Sequence, residues 1–201
     1  MRNFLLAIAY GCHPLFIPIA GTLAYFLVTP KYSSLEQQSG NILPIFILTV
    51  IIPIIFFLIL KNMKLITSVF APTIAERKYP LLISIILYLM ILYKVIPQNY
   101  IGELYYFFVG LLIGTSATLL LLFVKFKTSI HLLGMGSLLM FLVGLSIHFE
   151  VNITLAIGLV TFLSGLVITS RLYLKAHSLI ELVIGFFLGF LSQLFVLKYW
   201  L

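Results

Sequence analysis

Apolar residues run through this chain in long blocks separated by short polar stretches. Seven blocks reach the length of about 20 residues that a helix needs to cross a bilayer. They are 3–28, 42–60, 80–96, 104–124, 130–148, 153–169 and 178–197. Backbone groups in lipid must be satisfied within the segment, so each block is predicted to be a helix. The stretch 29–40 forms one polar connector. The stretch 61–79 forms the longest, on the opposite side, with room for an interfacial helix. The predicted fold class is therefore all-α: a polytopic transmembrane helical bundle of six to seven spans. It forms a single integral membrane domain over residues 1–201.

Some blocks carry internal punctuation. His13-Pro14 and Pro18 interrupt the first, and proline removes a backbone hydrogen bond, so this span is predicted to be bent or broken. Gly110/Gly114 and Gly185/Gly189 are spaced to let helices approach closely. No internal repeat is visible, so an inverted-repeat transporter gains no support. A small transporter would need a cavity across the bilayer, at which only His13 hints. The single cysteine, Cys12, excludes an intramolecular disulfide framework. The apolar run continues past Cys12 to Val28, which is long for a cleaved signal.

Composition strengthens the membrane reading. Of 201 residues, 63% are hydrophobic and 8% charged, with a mean hydropathy of +1.24 and no Asp. Soluble domains carry about 25% charged residues. An ordinary soluble enzyme, a disordered tail and a nucleic-acid module are thereby excluded. The net charge of +7 comes from cations scattered between apolar runs, which suit loop anchors and anion ligands rather than a nucleic-acid groove.

The placement of the polar residues carries the chemistry. Glu76, Arg77 and Lys78 follow the second block. Lys125, Lys127, Thr128 and Ser129 follow the fourth, with His131 just inside the fifth. Ser170, Arg171, Lys175 and His177 follow the sixth, with Glu181 one turn into the seventh. Each group follows an even-numbered block, so all three lie on one membrane face. Cations with helix N-termini make an anion site. Histidine attacks phosphorus or moves protons near neutral pH. Four residues separate His177 from Glu181, so the carboxylate can orient the ring. Phosphoryl chemistry on a substrate held at the membrane surface follows.

Plainer readings stand beside these. Ser129 can serve only as a helix N-cap, and His177–Glu181 only as a contact one turn apart. Lys61, Lys64 and Lys125 suit interfacial anchoring. His148 and Glu150, on the opposite face, read as solvated loop residues. His13 reads as structural, at a break that proline already explains. His131, His177 and Glu181 match no standard zinc spacing, so no metal is assigned.

These residues resemble the type 2 phosphatidic acid phosphatase superfamily, whose members carry K-x6-R-P, P-S-G-H and S-R-x5-H-x3-D. The third motif reads here Ser170-Arg171-x5-His177-x3-Glu181, with Glu for the final Asp. The second reads Thr128-Ser129-Ile130-His131. The first keeps Arg77 near Pro80, with Phe70 where the family has Lys and with Lys127 or Lys78 to supply the charge. His13-Pro14-Leu15, Glu76-Arg77-x-x-Pro80 and Lys127-x-Ser129-x-His131 also resemble small membrane proteins common in Bacteroidetes. The resemblance implies a histidine-phosphatase-like core over about residues 70–197. It implies His177 as nucleophile, Glu181 as its orienter and His131 as proton donor. Arg171, Ser129, Arg77 and Lys127 would bind the phosphoryl group, without cofactor. The substrate would be a lipid phosphate or diphosphate: an isoprenoid carrier, phosphatidylglycerol phosphate, phosphatidic acid or lipid A. Ile130 in place of the family's Gly, and the missing Lys, point to an alternative: a catalytically degenerate member serving as a lipid-binding or structural subunit.

The partners expected are membrane lipids, in a bacterial cytoplasmic (inner) membrane. Nine Lys and Arg lie toward the motif face and three toward the other. The positive-inside rule then favours a cytoplasmic motif face, whereas family members usually work outside the cytoplasm. Discounting Arg77, Lys127 and Arg171 as ligands leaves six against three.

Overall fold

The computed structural model describes residues 2–68, 73–96 and 101–201. Among these residues all regular structure is helical. Seven helical spans are long and apolar enough to cross a membrane: Arg2–Val28, Leu35–Asn62, Ile74–Val95, Gly102–Phe123, Ile130–Phe149, Thr154–Tyr173 and Leu179–Leu197. The protein is an all-helical membrane protein, and these are its first to seventh spans.

The fifth span is the hub. It packs against the seventh, sixth and fourth spans and the second half of the first. Its fit on the seventh depends on glycine. A Cβ on Gly189 would overlap the Leu133 carbonyl, and one on Gly185 would overlap the backbone of Ser129. Close backbone approach of this kind drives helix association in lipid, where the solvent is as apolar as the side chains. Phe107 and Phe141 stack at 4.3 Å between the fourth and fifth spans.

The first span is broken, as its prolines predict. Helix Arg2–Gly11 ends, a 3-10 turn covers Pro14–Phe16, and helix Ile17–Val28 resumes. The first half packs on the sixth span and the second half on the fifth. At the break the His13 N–H bonds to the Tyr10 carbonyl at 3.2 Å, one residue short of its helical acceptor, the Ala9 carbonyl. The His131 ring fills that gap, its Nε2 lying 3.1 Å from the Ala9 oxygen. The second and third spans each contain a proline and a π-helical turn, Ile47–Ile51 and Ile91–Val95.

Helix ends extend further than hydropathy implies. Ser34 caps Leu35–Phe46 in a reciprocal box with Gln37, so half of the 29–40 stretch is helical. The third span starts at Ile74, which moves Glu76, Arg77 and Lys78 from a loop into its first turns. No interfacial helix is present among the described residues between Asn62 and Ile74, and Phe70 lies outside the described residues. Ser170 and Arg171 likewise belong to the last turn of the sixth span. The second, fourth and sixth spans end alike. Lys64, Lys125 and Lys175 take left-handed φ values of 58°, 60° and 51°. Paired backbone bonds such as Phe126 N–H to the Leu121 carbonyl and Lys125 N–H to that of Leu122, both 3.0 Å, close each end as a Schellman turn. Lysine there costs more than glycine but sets a cation at the negative helix end.

On the other face, the buried Glu103 carboxylate pairs with Lys31, lies 3.1 Å from the His148 ring nitrogen and 3.5 Å from the Tyr25 hydroxyl. His148 is therefore no solvated loop residue: it closes the fifth span onto the start of the fourth.

Candidate functional site

Four helix ends converge on the motif face. Thr73 caps the third span by accepting the Glu76 N–H at 3.3 Å, which turns Arg77 inward at 4% exposure. Arg171 closes the sixth span at 2% exposure. Ser129 caps the fifth, its hydroxyl accepting the Leu132 N–H at 3.4 Å. Ser178 caps the seventh in a reciprocal box with Glu181.

His177 stands just before that last cap, between two charged groups. Its Nδ1 lies 2.7 Å from Oε2 of Glu181, and its Nε2 lies 3.0 Å from Nη2 of Arg77. A guanidinium only donates, so Nε2 is the acceptor and Nδ1 carries the proton given to the carboxylate. This is the neutral tautomer that leaves the Nε2 lone pair directed at the cations. Burial, then the positive charges of Arg77, Lys127 and Arg171, push the His177 pKa down to about 2. At neutral pH the imidazole is uncharged and its side chain is 1% exposed.

Arg77 also donates to the Thr128 carbonyl at 2.6 Å, so one side chain joins three elements. Lys127 donates to the Ala176 carbonyl at 3.0 Å, and the Ser129 N–H to the Glu181 carbonyl at 3.1 Å. With Gly185 against the Ser129 backbone, these contacts lace the starts of the fifth and seventh spans together. Burial and the nearby Arg77 and Arg171 lower the pKa of Lys127, partly offset by Glu181.

A cavity of about 100 Å³ opens between these elements. Arg77, His131, Arg171 and His177 line its polar end together with His13 and Ile130. The rest is mainly apolar, with Leu48, Pro53, Leu81, Leu87, Tyr88 and Leu111 among its residues, interrupted by Thr49, Ser84 and Thr115. Along the third span, Leu87 lies ten positions beyond Arg77, so this wall extends about 15 Å from the cations into the membrane.

Of the seven residues singled out by sequence, four stand on the cavity wall: Arg77, His131, Arg171 and His177. Glu181 stands behind His177. Ser129 and Lys127 join the backbone framework instead of the wall, and the Ser129 hydroxyl is used as a cap. Ser170, part of the third motif, ties the sixth span to the first through the Leu5 carbonyl at 2.7 Å. His13 has the expected structural role, capping the 3-10 turn by accepting the Leu15 N–H at 3.3 Å, and it also lines the cavity, its ring edge-on to His131 with centroids 5.2 Å apart. The sequence signal was the His-Pro pair itself: a helix break inside an apolar span frees backbone and side chains to face a polar space. Among the described residues, no group of three or more His, Cys or Glu side chains is arranged to hold a metal ion.

Comparison of this chain with protein-family models, with curated proteins and with solved structures finds no match.

Proposed function

We propose that this chain is a membrane lipid phosphatase that acts through a phosphohistidine at His177. The observation that carries the reading is the buried Arg77–His177–Glu181 relay. It lies at the cationic end of a cavity whose remaining walls are mainly apolar and run into the membrane. A phosphorylated lipid has that division: an anionic head for Arg77 and Arg171, and a hydrocarbon tail for the apolar walls. The motif likeness to type 2 phosphatidic acid phosphatases supports the same reading.

In this reading Nε2 of His177 attacks phosphorus and forms a P–N bond, while the bond from phosphorus to the lipid oxygen breaks. The lipid oxygen takes a proton from His131. Because Nε2–H of His131 is held by the Ala9 carbonyl, the transfer runs through Nδ1: this nitrogen, an acceptor in the resting neutral ring, takes up the proton of a singly protonated phosphate head and passes it to the lipid oxygen. Glu181 stabilises the positive charge that develops on His177. Arg77 leaves Nε2 and joins Arg171 on the equatorial oxygens, where the transition state concentrates negative charge. Water then attacks the phosphohistidine, the P–N bond breaks and inorganic phosphate leaves.

A second reading, a binding protein without turnover, is favoured by one observation: the β-branched Ile130 lines the cavity at the family's Gly position. Detergent-purified protein tested on a panel of lipid phosphates and diphosphates separates the two. Phosphate release together with an acid-labile phosphoenzyme, both abolished by His177→Ala, is the expected result. Release that survives in His177→Ala would falsify the mechanism. Absence of release across the panel, with retained lipid binding, would establish the second reading.

A further inference from the structure

We infer that His13 is a third histidine of the anion site, donating its Nε2–H to the oxygens of a phosphate group held by Arg77 and Arg171. The inference rests on the anion-site reading above, and four observations carry it.

First, His13 lines the cavity with Arg77, His131, Arg171 and His177, although it comes from a different part of the chain. Second, its tautomer is fixed. The ring Nδ1 accepts the Leu15 N–H at 3.3 Å, capping the 3-10 turn Pro14–Phe16, so the proton of the neutral ring sits on Nε2. A neutral histidine held this way is a donor that needs no protonation. Third, His131 is held in a complementary state. Its Nε2–H is committed to the Ala9 carbonyl, which leaves Nδ1 as the acceptor of the neutral ring. The two rings stand 5.2 Å apart, edge to face, and both line the cavity, so the pair carries one donor and one acceptor nitrogen beside it. Fourth, the break in the first span serves both rings. It places His13 at the cavity and frees the carbonyl that His131 binds. Hydrogen bonds to charged groups are stronger than neutral ones, so a phosphate is the ligand that such a fixed donor favours.

Capping and donation are separable by substitution. His13→Asn keeps a side-chain acceptor near the Leu15 N–H but removes the far donor. His13→Gln places an amide N–H close to the position of Nε2 but loses the cap. The full chain in detergent is titrated with inorganic phosphate by calorimetry, beside thermal unfolding of each variant. The expected result is that His13→Asn unfolds like the parent yet binds phosphate about tenfold more weakly. His13→Gln is less stable yet binds within about threefold of the parent. The reverse pattern, with Asn binding like the parent and Gln weakened, would overturn the inference and make His13 a cap alone. In that case Arg171→Ala still weakens phosphate, so the anion site itself stands. A parent protein that binds neither inorganic phosphate nor any lipid phosphate would overturn the site and the inference together.

Discussion

Replacing Arg77 by methionine tests the centre of the site, because that side chain serves the fold and the chemistry at once. Methionine keeps the stem and loses the hydrogen bonds to the Thr128 carbonyl and to Nε2 of His177. Hydrogen bonds to charged groups contribute about 1.5–3 kcal/mol each. Removing a buried cation also relieves its desolvation and its repulsion by Arg171 and Lys127, which offsets part of that loss. A net destabilisation of about 2 kcal/mol is expected in SDS unfolding from mixed micelles. The chemical effect is larger: losing one preorganised donor to a developing oxyanion lowers kcat by about 10²–10³-fold. A third readout links the two. After burial itself, the Arg77 guanidinium is the strongest influence holding His177 unprotonated. Its removal raises the His177 pKa, visible in nitrogen-labelled histidine NMR as titration at higher pH than in the parent. Arg77→Lys keeps the charge but not the fork, so it retains most of the depressed pKa and loses one of the two contacts. Unshifted titration with full turnover in Arg77→Met would refute the relay.

Other outcomes follow from the same geometry. Glu181→Gln preserves the capping box, in which Gln serves as well as Glu. It withdraws the charge from Nδ1 of His177, so unfolding is expected near the parent midpoint with at least about 100-fold lower phosphate release; equal release rejects the orienting role. Gly189→Leu forces a side chain into the Leu133 carbonyl and is expected to cost about 3 kcal/mol or prevent folding, whereas a parent-like SDS midpoint contradicts the close approach. The His177 pKa lies below its ordinary 6.5, so the unfolded chain gains a proton that the folded chain refuses as pH falls below that value. This contribution to stability is complete above pH 6.5 and is lost toward pH 2, by up to about 1.4 kcal/mol per unit. His177→Gln should flatten the decline between about pH 6 and 4, and an unchanged slope argues against a neutral buried ring. Lys125→Gly relieves a left-handed residue and should raise the SDS midpoint by about 1 kcal/mol; a lowered midpoint would mean that the charge outweighs the strain.

The bilayer makes some of this structure easy to read and some of it hard. The spans were legible because hydrocarbon thickness fixes the length of an apolar block. The glycine pairs announced close contacts for the same reason, since small residues are what let helices approach in lipid. Helix ends were misplaced wherever polar residues begin a span. Glu76-Arg77-Lys78 looks like a loop by hydropathy, yet Thr73 caps it into helix, and the Ser84 hydroxyl donates to the carbonyl of Pro80 at 2.9 Å. Parity of the loops placed His131, Arg171 and His177 on one face. It says nothing of which atoms meet. The Arg77–His177 bond spans a hundred residues of sequence, and no local pattern encodes it. His148 is misread from sequence, and His13 is read only for its structural half, for one reason. Both lie near helix ends, where a sequence does not show whether a buried partner awaits, and the structure supplies the cavity for one and Glu103 for the other.

Under the proposed mechanism, the hold of Arg77 on Nε2 of His177 has a consequence for selectivity. The surrounding membrane offers the greasy groove an overwhelming excess of tails that bear the wrong head. A diester head offers a single negative charge between two ester arms and competes for the guanidinium less well than a monoester or diphosphate, so the latch stays shut and His177 stays idle. Only a head with enough negative charge to draw Arg77 away arms the site, so rejection of bystanders happens before any bond is made or broken.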